Sequence, residues 1–333
     1  MKKGNIALFI PHAGCPHQCS FCNQKQITGV QREISAQDVC RAVETALAKG
    51  RPEGWEYEIA FFGGSFTAVP ETYQRELLEA ASRYVRDGKV RGIRVSTRPD
   101  AVSPGTLEFL KRYGVTAVEL GAQSMDDQVL ARSGRGHTAG QVRQAAGFIR
   151  EAGISLGLQM MVGLPGDTAA GALYTARELA ALRPDTVRIY PTVVLRGSAL
   201  ETQFLQGEYT PISLESAVEL CADLLEFFDG QGIPVIRMGL HASPELEQGY
   251  VCGPWHPAFR ELCESLRMRR RIFARLPKPG TRGCAVRVTV HPRWVSRAVG
   301  QKRANLQAFA AQGFSVTVRG DEKIAPGEVD VEC

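Results

Sequence analysis

Short apolar runs alternate with longer stretches of helical period over the first 190 residues. The run Ile6 to Ile10 reads as a strand. Helical periodicity begins after Ser35, an N-cap with Asp38 three residues on, and carries Val39, Val43, Ala46 and Leu47 to a stop at Gly50. The alternation predicts further strands over 57–62, 93–96, 117–120, 154–162 and 186–190, with helices over 71–85, around 107–110, and over 138–151 and 168–182. Ser103-Pro104 gives one of these helices its cap and first-turn proline, and Gly114 ends it. Six strand–helix units of this length imply a parallel sheet, because a parallel return needs a crossover. Periodicity alone leaves a closed barrel, a partial barrel and an open sheet all standing. The polar and glycine-rich segments follow strands one, two, four and five, on the carboxyl side where α/β active sites assemble.

Beyond residue 200 the pattern predicts a helix over 213–228, a strand over 235–238 and a basic helix over 256–276. Pro277-Lys278-Pro279-Gly280 reads as a linker. The remainder predicts strand 285–290, helix 292–299, helix 304–312 and strand 315–318, with Gly300-Gln301-Lys302-Arg303 between the two helices. The expected division is a core over 1–200, an extension over 201–276 and a small basic α+β unit over 280–333.

Composition narrows this reading. At 333 residues with 44% apolar and 23% charged content, the chain is expected to form one large α/β domain plus a smaller piece. It lacks an apolar stretch of the roughly 18 residues that span a bilayer, and residues 1–14 lack a leader pattern, so a cytoplasmic protein with no membrane contact is expected. Nine cysteines then point to reduced thiols and metal rather than disulfides. The net charge of +5 conceals an asymmetry: residues 260–303 carry +11 and the rest −6. That basic segment suits a polyanion.

The strongest chemical signal is Gly14-Cys15-Pro16-His17-Gln18-Cys19-Ser20-Phe21-Cys22. Three thiolates within eight residues can wrap one face of a cubane cluster and leave its fourth iron open. Structural zinc is the alternative, with His12 or His17 completing its shell. A redox disulfide would use only Cys19 and Cys22 and leave Cys15 without a role. Phe21 would shield the cluster from water. Cys40, Cys221, Cys252, Cys263, Cys284 and Cys333 show no close pair spacing and read as small apolar residues. His137 and His241 could face the barrel mouth, but read rather as satisfied loop histidines.

C-x-x-x-C-x-x-C with an aromatic before the last cysteine resembles the radical S-adenosylmethionine (SAM) superfamily. The resemblance implies a partial TIM-type (β/α) barrel, with a [4Fe–4S] cluster held by Cys15, Cys19 and Cys22. It also implies reductive cleavage of SAM, and an electron donor such as a flavodoxin or ferredoxin. The other motifs follow in family order. Gly63-Gly64-Ser65 stands where the family has its Gly-Gly-Glu, so Gly63 and Gly64 would meet the methionine amine through backbone. Ser96, Gln123 and Ser124 at strand ends suit ribose hydroxyls. Arg98 or Arg135 suits the SAM carboxylate, and Gln159 lies in the segment resembling the adenine contact. Tyr190, ending strand six, is the candidate lining the substrate pocket.

Ser96-Thr97-Arg98-Pro99-Asp100, Ile189-Tyr190-Pro191-Thr192 and Gly253-Pro254-Trp255-His256-Pro257 further resemble the radical SAM portion of Elongator's catalytic subunit, over residues 5–275. That implies RNA, specifically tRNA, as substrate. Two departures stand out: the family's first cysteine gap is longer, and its acetyltransferase portion has no room in 333 residues. The chemistry is therefore not expected to transfer intact. The final β-α-α-β unit resembles the core of a KH domain, which implies phosphate contact at Gly300, Lys302 and Arg303, although Arg303 replaces the second loop glycine. Two other functions stay open here: a radical SAM enzyme for a small metabolite, similar to oxygen-independent coproporphyrinogen oxidase, and a non-catalytic iron–sulfur RNA-binding protein.

Overall fold

The computed structural model describes residues 2–10, 15, 18–23, 32–50, 52–276 and 285–332. The chain folds as two compact units, residues 1–212 with 228–255 and residues 213–227 with 256–333. The expected linker at 277–280 lies outside the described residues.

The first unit begins with β1 (Lys2–Ile10), α1 (Ala36–Ala48), β2 (Trp55–Gly63), α2 (Glu71–Arg86), β3 (Ile93–Thr97) and α3 (Pro104–Arg112). It continues through β4 (Val115–Gln123), α4 (Asp127–Arg132), α5 (Ala139–Glu151), β5 (Ser155–Val162), α6 (Ala169–Ala181) and β6 (Thr186–Pro191). Next come β7 (Val194–Leu195), α7 (Ala199–Leu205), β8 (Val235–Met238), α9 (Pro244–Gly249) and β9 (Tyr250–Cys252), while the intervening helix α8 (Leu214–Gly230) falls to the second unit over residues 214–227. The predicted caps form: Ser35 and Asp38 close a capping box on α1, and the Ser103 side chain accepts from the Thr106 amide on α3.

Seven parallel strands pair in the order β1-β2-β3-β4-β5-β6-β8. Right-handed crossovers in a monotonic order all fall on one face, so the sheet curls one way as a barrel does. β1 and β8 end the sheet without pairing to each other, which makes it a half-barrel. This order decides what periodicity left open.

The two faces of the strands differ chemically. Ile59, Phe61, Val95, Val118, Leu120, Leu156, Leu158, Val187 and Ile189 are buried, and α1, α2, α3, α5 and α6 pack on the strands. The alternate positions, including Phe9, Glu58, Phe62, Arg94, Glu119, Gln159, Arg188 and Tyr190, face the concavity. The core therefore lies between sheet and helices. α4, α7, α9, β7 and β9 were not legible in the periodicity, because segments of two to seven residues show less than two turns or one alternation.

The second unit holds α10 (Phe259–Phe273), β10 (Ala285–Val290), α11 (Val295–Val299), α12 (Ala304–Ala311), β11 (Ser315–Gly320) and β12 (Val329–Glu332). β10 is central, parallel to β11 and antiparallel to β12, a strand absent from the sequence reading. The expected helix over 292–299 is a 3₁₀ turn at Pro292–Trp294 followed by α11. The expected boundary near 280 differs too. Met268 and Ile272 of the basic helix α10 share one core with Val286, Val288, Val290, Phe309 and Phe314, so α10 belongs with this unit. Among the described residues, no helix is long and apolar enough to cross a membrane.

Candidate active site at the carboxyl rim of the half-barrel

The rim begins where β1 meets β2. Gly63 has φ +104°, and a Cβ there would lie 2.6 Å from the Ile10 carbonyl oxygen. Only glycine fits such a position. The next residue, Gly64, donates its N–H to that oxygen at 2.8 Å. The chain then turns toward Cys15, whose thiol pKa burial raises and the Ser65 backbone lowers slightly. Ser65 Oγ bonds Thr97 Oγ1 at 2.8 Å and accepts from the Arg98 amide at 3.2 Å. The residue standing in place of the family's acid thus fastens the β2 loop to the end of β3.

Arg98 and Arg135 are 2% and 7% exposed, and both turn toward this point. Arg98 places its fork on Asp100, with Nε to Oδ1 at 2.9 Å and Nη2 to Oδ2 at 3.1 Å, and also donates from Nη2 to the Arg135 carbonyl at 2.6 Å. Arg135 donates from Nη1 to Cys19 Sγ at 3.3 Å and from Nη2 to the Gly121 carbonyl at 2.7 Å. Arg98 Nη1, Arg135 Nε and His137 Nδ1 are buried with no hydrogen-bond partner among the described residues. The cysteine segment is tied on its far side as well: Ser20 N–H donates to Ser133 O at 3.0 Å, and Leu200 N–H to Ser20 O at 2.8 Å. Burial raises the Cys15 thiol pKa, while Arg135 pulls it down and neighbouring Cys19 raises it further.

Among the described residues, no three His, Cys, Asp or Glu groups already stand together as a metal-binding set. His12 and His17, the candidate zinc ligands, lie outside the described residues. The donor set nonetheless fits an iron–sulfur cluster: three thiols span eight residues, Cys22 N–H bonds the Cys19 carbonyl at 3.0 Å, and a guanidinium donates to one sulfur.

Of the other expected cofactor residues, Gln123 adopts φ +66° at the end of β4 and accepts from Gln159 Nε2 at 3.2 Å. Ser96 sits on the concave face of β3. Ser124 is placed differently, its Oγ bonded to Thr175 Oγ1 at 3.3 Å and to the Asp126 amide at 3.1 Å, where it braces the start of α4 against α6. Tyr190 packs with Phe21 against Val129, Met161 and Leu164. His137 lies in the loop between α4 and α5, as expected, and is buried there, its Nε2 3.2 Å from the Ala122 carbonyl.

The concave floor below the rim carries charges that sequence reading missed. Arg94 bonds Glu58 at 2.8 Å and also Glu119, and Glu119 bonds Arg188 at 3.2 Å. The Arg188 guanidinium lies 5.0 Å from the Phe62 ring centroid. Glu119 keeps room because Gly157 faces it; a Cβ there would sit 2.5 Å from the carboxyl carbon.

A family profile for the radical SAM superfamily matches residues 9–179, and one for the radical SAM C-terminal domain matches 184–269. The chain belongs to the radical SAM superfamily. Radical SAM enzymes work with a [4Fe–4S] cluster and SAM, and these are this chain's cofactors. The chain is 28% identical over 253 residues to a tRNA uridine(34) acetyltransferase of Dehalococcoides mccartyi, covering 66% of this chain and 55% of that one. It is 31% identical over 188 residues to human Elongator complex protein 3, covering 50% and 34%. It spans only about a third to a half of these two relatives. An N-terminally truncated Elp3 of Methanocaldococcus infernus superposes with a TM-score of 0.64 at 21% identity, over 81% of this chain and 64% of that one, and shares the fold.

In the second unit, Gly300 has φ +78°, while Lys302 and Arg303 adopt left-handed backbone at φ +51° and +62°. Arg303 thus takes the conformation a second loop glycine would adopt freely, and both side chains are exposed.

Proposed function

We propose that this radical SAM enzyme holds its cluster through Cys15, Cys19 and Cys22 and acts on RNA, with tRNA as the substrate class. The observation that carries the site assignment is the convergence of distant segments on the cysteines: Arg135 donates to Cys19 Sγ, Arg98 holds the Arg135 carbonyl, and Ser20 N–H bonds Ser133 O. When bound, the cluster and SAM would supply the family's hydrogen-abstracting radical chemistry. The chain's own residues bind and orient. Gly63 and Gly64 leave backbone open to the methionine portion, Gln123 and Gln159 offer amides to the nucleoside portion, and Ser96 and Tyr190 border the concavity. Burial of this rim keeps water from the reacting groups.

The RNA assignment draws on the likeness to a tRNA-modifying relative and on the exposed Gly300, Lys302 and Arg303 loop. Two adjacent non-glycine residues in left-handed backbone cost about 1–3 kcal/mol each. Such strain concentrates at functional loops. The first unit would then perform the chemistry and the second hold the nucleic acid, with a one-electron reductant such as a flavodoxin or ferredoxin as partner.

The test is anaerobic reconstitution followed by dithionite and SAM. We expect about four irons per chain and release of 5′-deoxyadenosine, with both lost in Cys15→Ala, Cys19→Ala or Cys22→Ala. Mass spectrometry of tRNA nucleosides from a deletion strain should show one modified uridine missing. Tight zinc without iron would reject the site assignment; an unchanged nucleoside profile would reject the substrate.

A further inference from the structure

We propose that Arg135 sets the reduction potential of the cluster, and that Arg98 is the positioning residue holding it there; this rests on the assignment of the cluster to Cys15, Cys19 and Cys22. Reduction adds one negative charge to a cluster already ringed by thiolates. A cation and an N–H···S hydrogen bond at a ligand sulfur stabilise the reduced state more than the oxidised one, so both raise the potential. Arg135 supplies both through the Nη1 contact of 3.3 Å to Cys19 Sγ.

The arrangement is built for this placement. Arg135 is 7% exposed, so solvent screens its charge little. Its Nη2 is anchored on the Gly121 carbonyl, and a Cβ at residue 121 would lie 2.6 Å from that nitrogen, so glycine there makes the space. Arg98 grips the Arg135 backbone carbonyl at 2.6 Å. Asp100, the carboxylate that Arg98 holds, is spent on the Arg98 fork. His137 is held neutral by burial and by Arg135 itself. Among the described residues, the Arg135 guanidinium therefore faces the Cys19 sulfur with no ion-pair partner in its hydrogen bonds.

The measurement is an electron paramagnetic resonance-monitored reductive titration of the reconstituted, SAM-free protein, comparing wild type with Arg135→Lys, Arg135→Gln and Arg135→Met. Lysine keeps the charge, glutamine keeps a donor, and methionine keeps neither. We expect the ratio of reduced to oxidised cluster at a fixed potential to fall in that order. The loss should reach at least tenfold in Arg135→Met, a shift of about 59 mV for a one-electron couple. Arg98→Lys, which keeps charge but loses the grip, should move the potential in the same direction. Gln and Met variants that both titrate within twofold of wild type would overturn the proposal. If Arg135→Met fails to hold iron, Arg135→Gln decides it: titration within twofold of wild type overturns the proposal. Failure of the underlying assignment looks different: Cys19→Ala would then retain its full iron content.

Discussion

His137 and Asp167 titrate in overlapping pH ranges with opposite consequences. Burial, then the charge of Arg135, lowers His137 from the ordinary 6.5 to about 4. Burial raises Asp167 from 3.8 to about 6, against an amide hydrogen bond from Thr168. The native state thus binds fewer protons than the unfolded chain at His137 and more at Asp167. The His137 contribution to stability is complete above pH 6.5 and is lost as pH falls toward 4. The Asp167 contribution is complete below pH 3.8 and is lost as pH rises through 6. Unfolding by urea across pH 4 to 7 should show Asp167→Asn removing a fall in stability with rising pH, and His137→Asn removing a rise. An unchanged pH profile in either variant would refute the corresponding burial argument. Neither shift was legible in the sequence, because both come from surrounding elements. The turn at Gly63 and Gly64 was legible, since two glycines directly after an apolar run leave few alternatives.

At the scale of elements, the strands were read from their apolar positions and the larger helices from period and caps. The charged residues inside strands carried information that went unused. Glu58, Arg94, Glu119 and Arg188 interrupt four apolar runs in the interior of β2, β3, β4 and β6, and their partners lie 25 to 69 residues away. No local pattern announces such a chain; only the strand order brings its members side by side. Glu119 is its hub, 3% exposed and shared by two arginines. Glu119→Ala leaves both guanidinium groups without that partner and is expected to cost about 3–5 kcal/mol, read as a lower denaturation midpoint. Glu119→Gln, which keeps the shape and one acceptor, should cost less. Equal losses in the two variants would show that the carboxylate charge plays no part.

For the whole molecule, the division of charge gives a prediction about binding. If the basic segment neutralises phosphates, log Kd for tRNA should rise linearly with log salt, with a slope of roughly 0.7 per phosphate contacted for single-stranded regions. Lys302→Ala with Arg303→Ala should weaken binding and reduce that slope by about one to two, while SAM cleavage without RNA continues. A filter-binding or fluorescence titration at several salt concentrations measures it, and identical slopes would exclude the loop. The half-barrel has another consequence, for how such an enzyme changes over time. Along each strand, every second residue packs on the helices and maintains the fold, while the intervening residues near the rim face an open polar concavity. Mutations at the two sets are therefore largely uncoupled. Lineages sharing this scaffold can replace concave-face residues not committed to the cofactor, such as Tyr190, to suit a new substrate and leave the register and helix packing of the same strands intact.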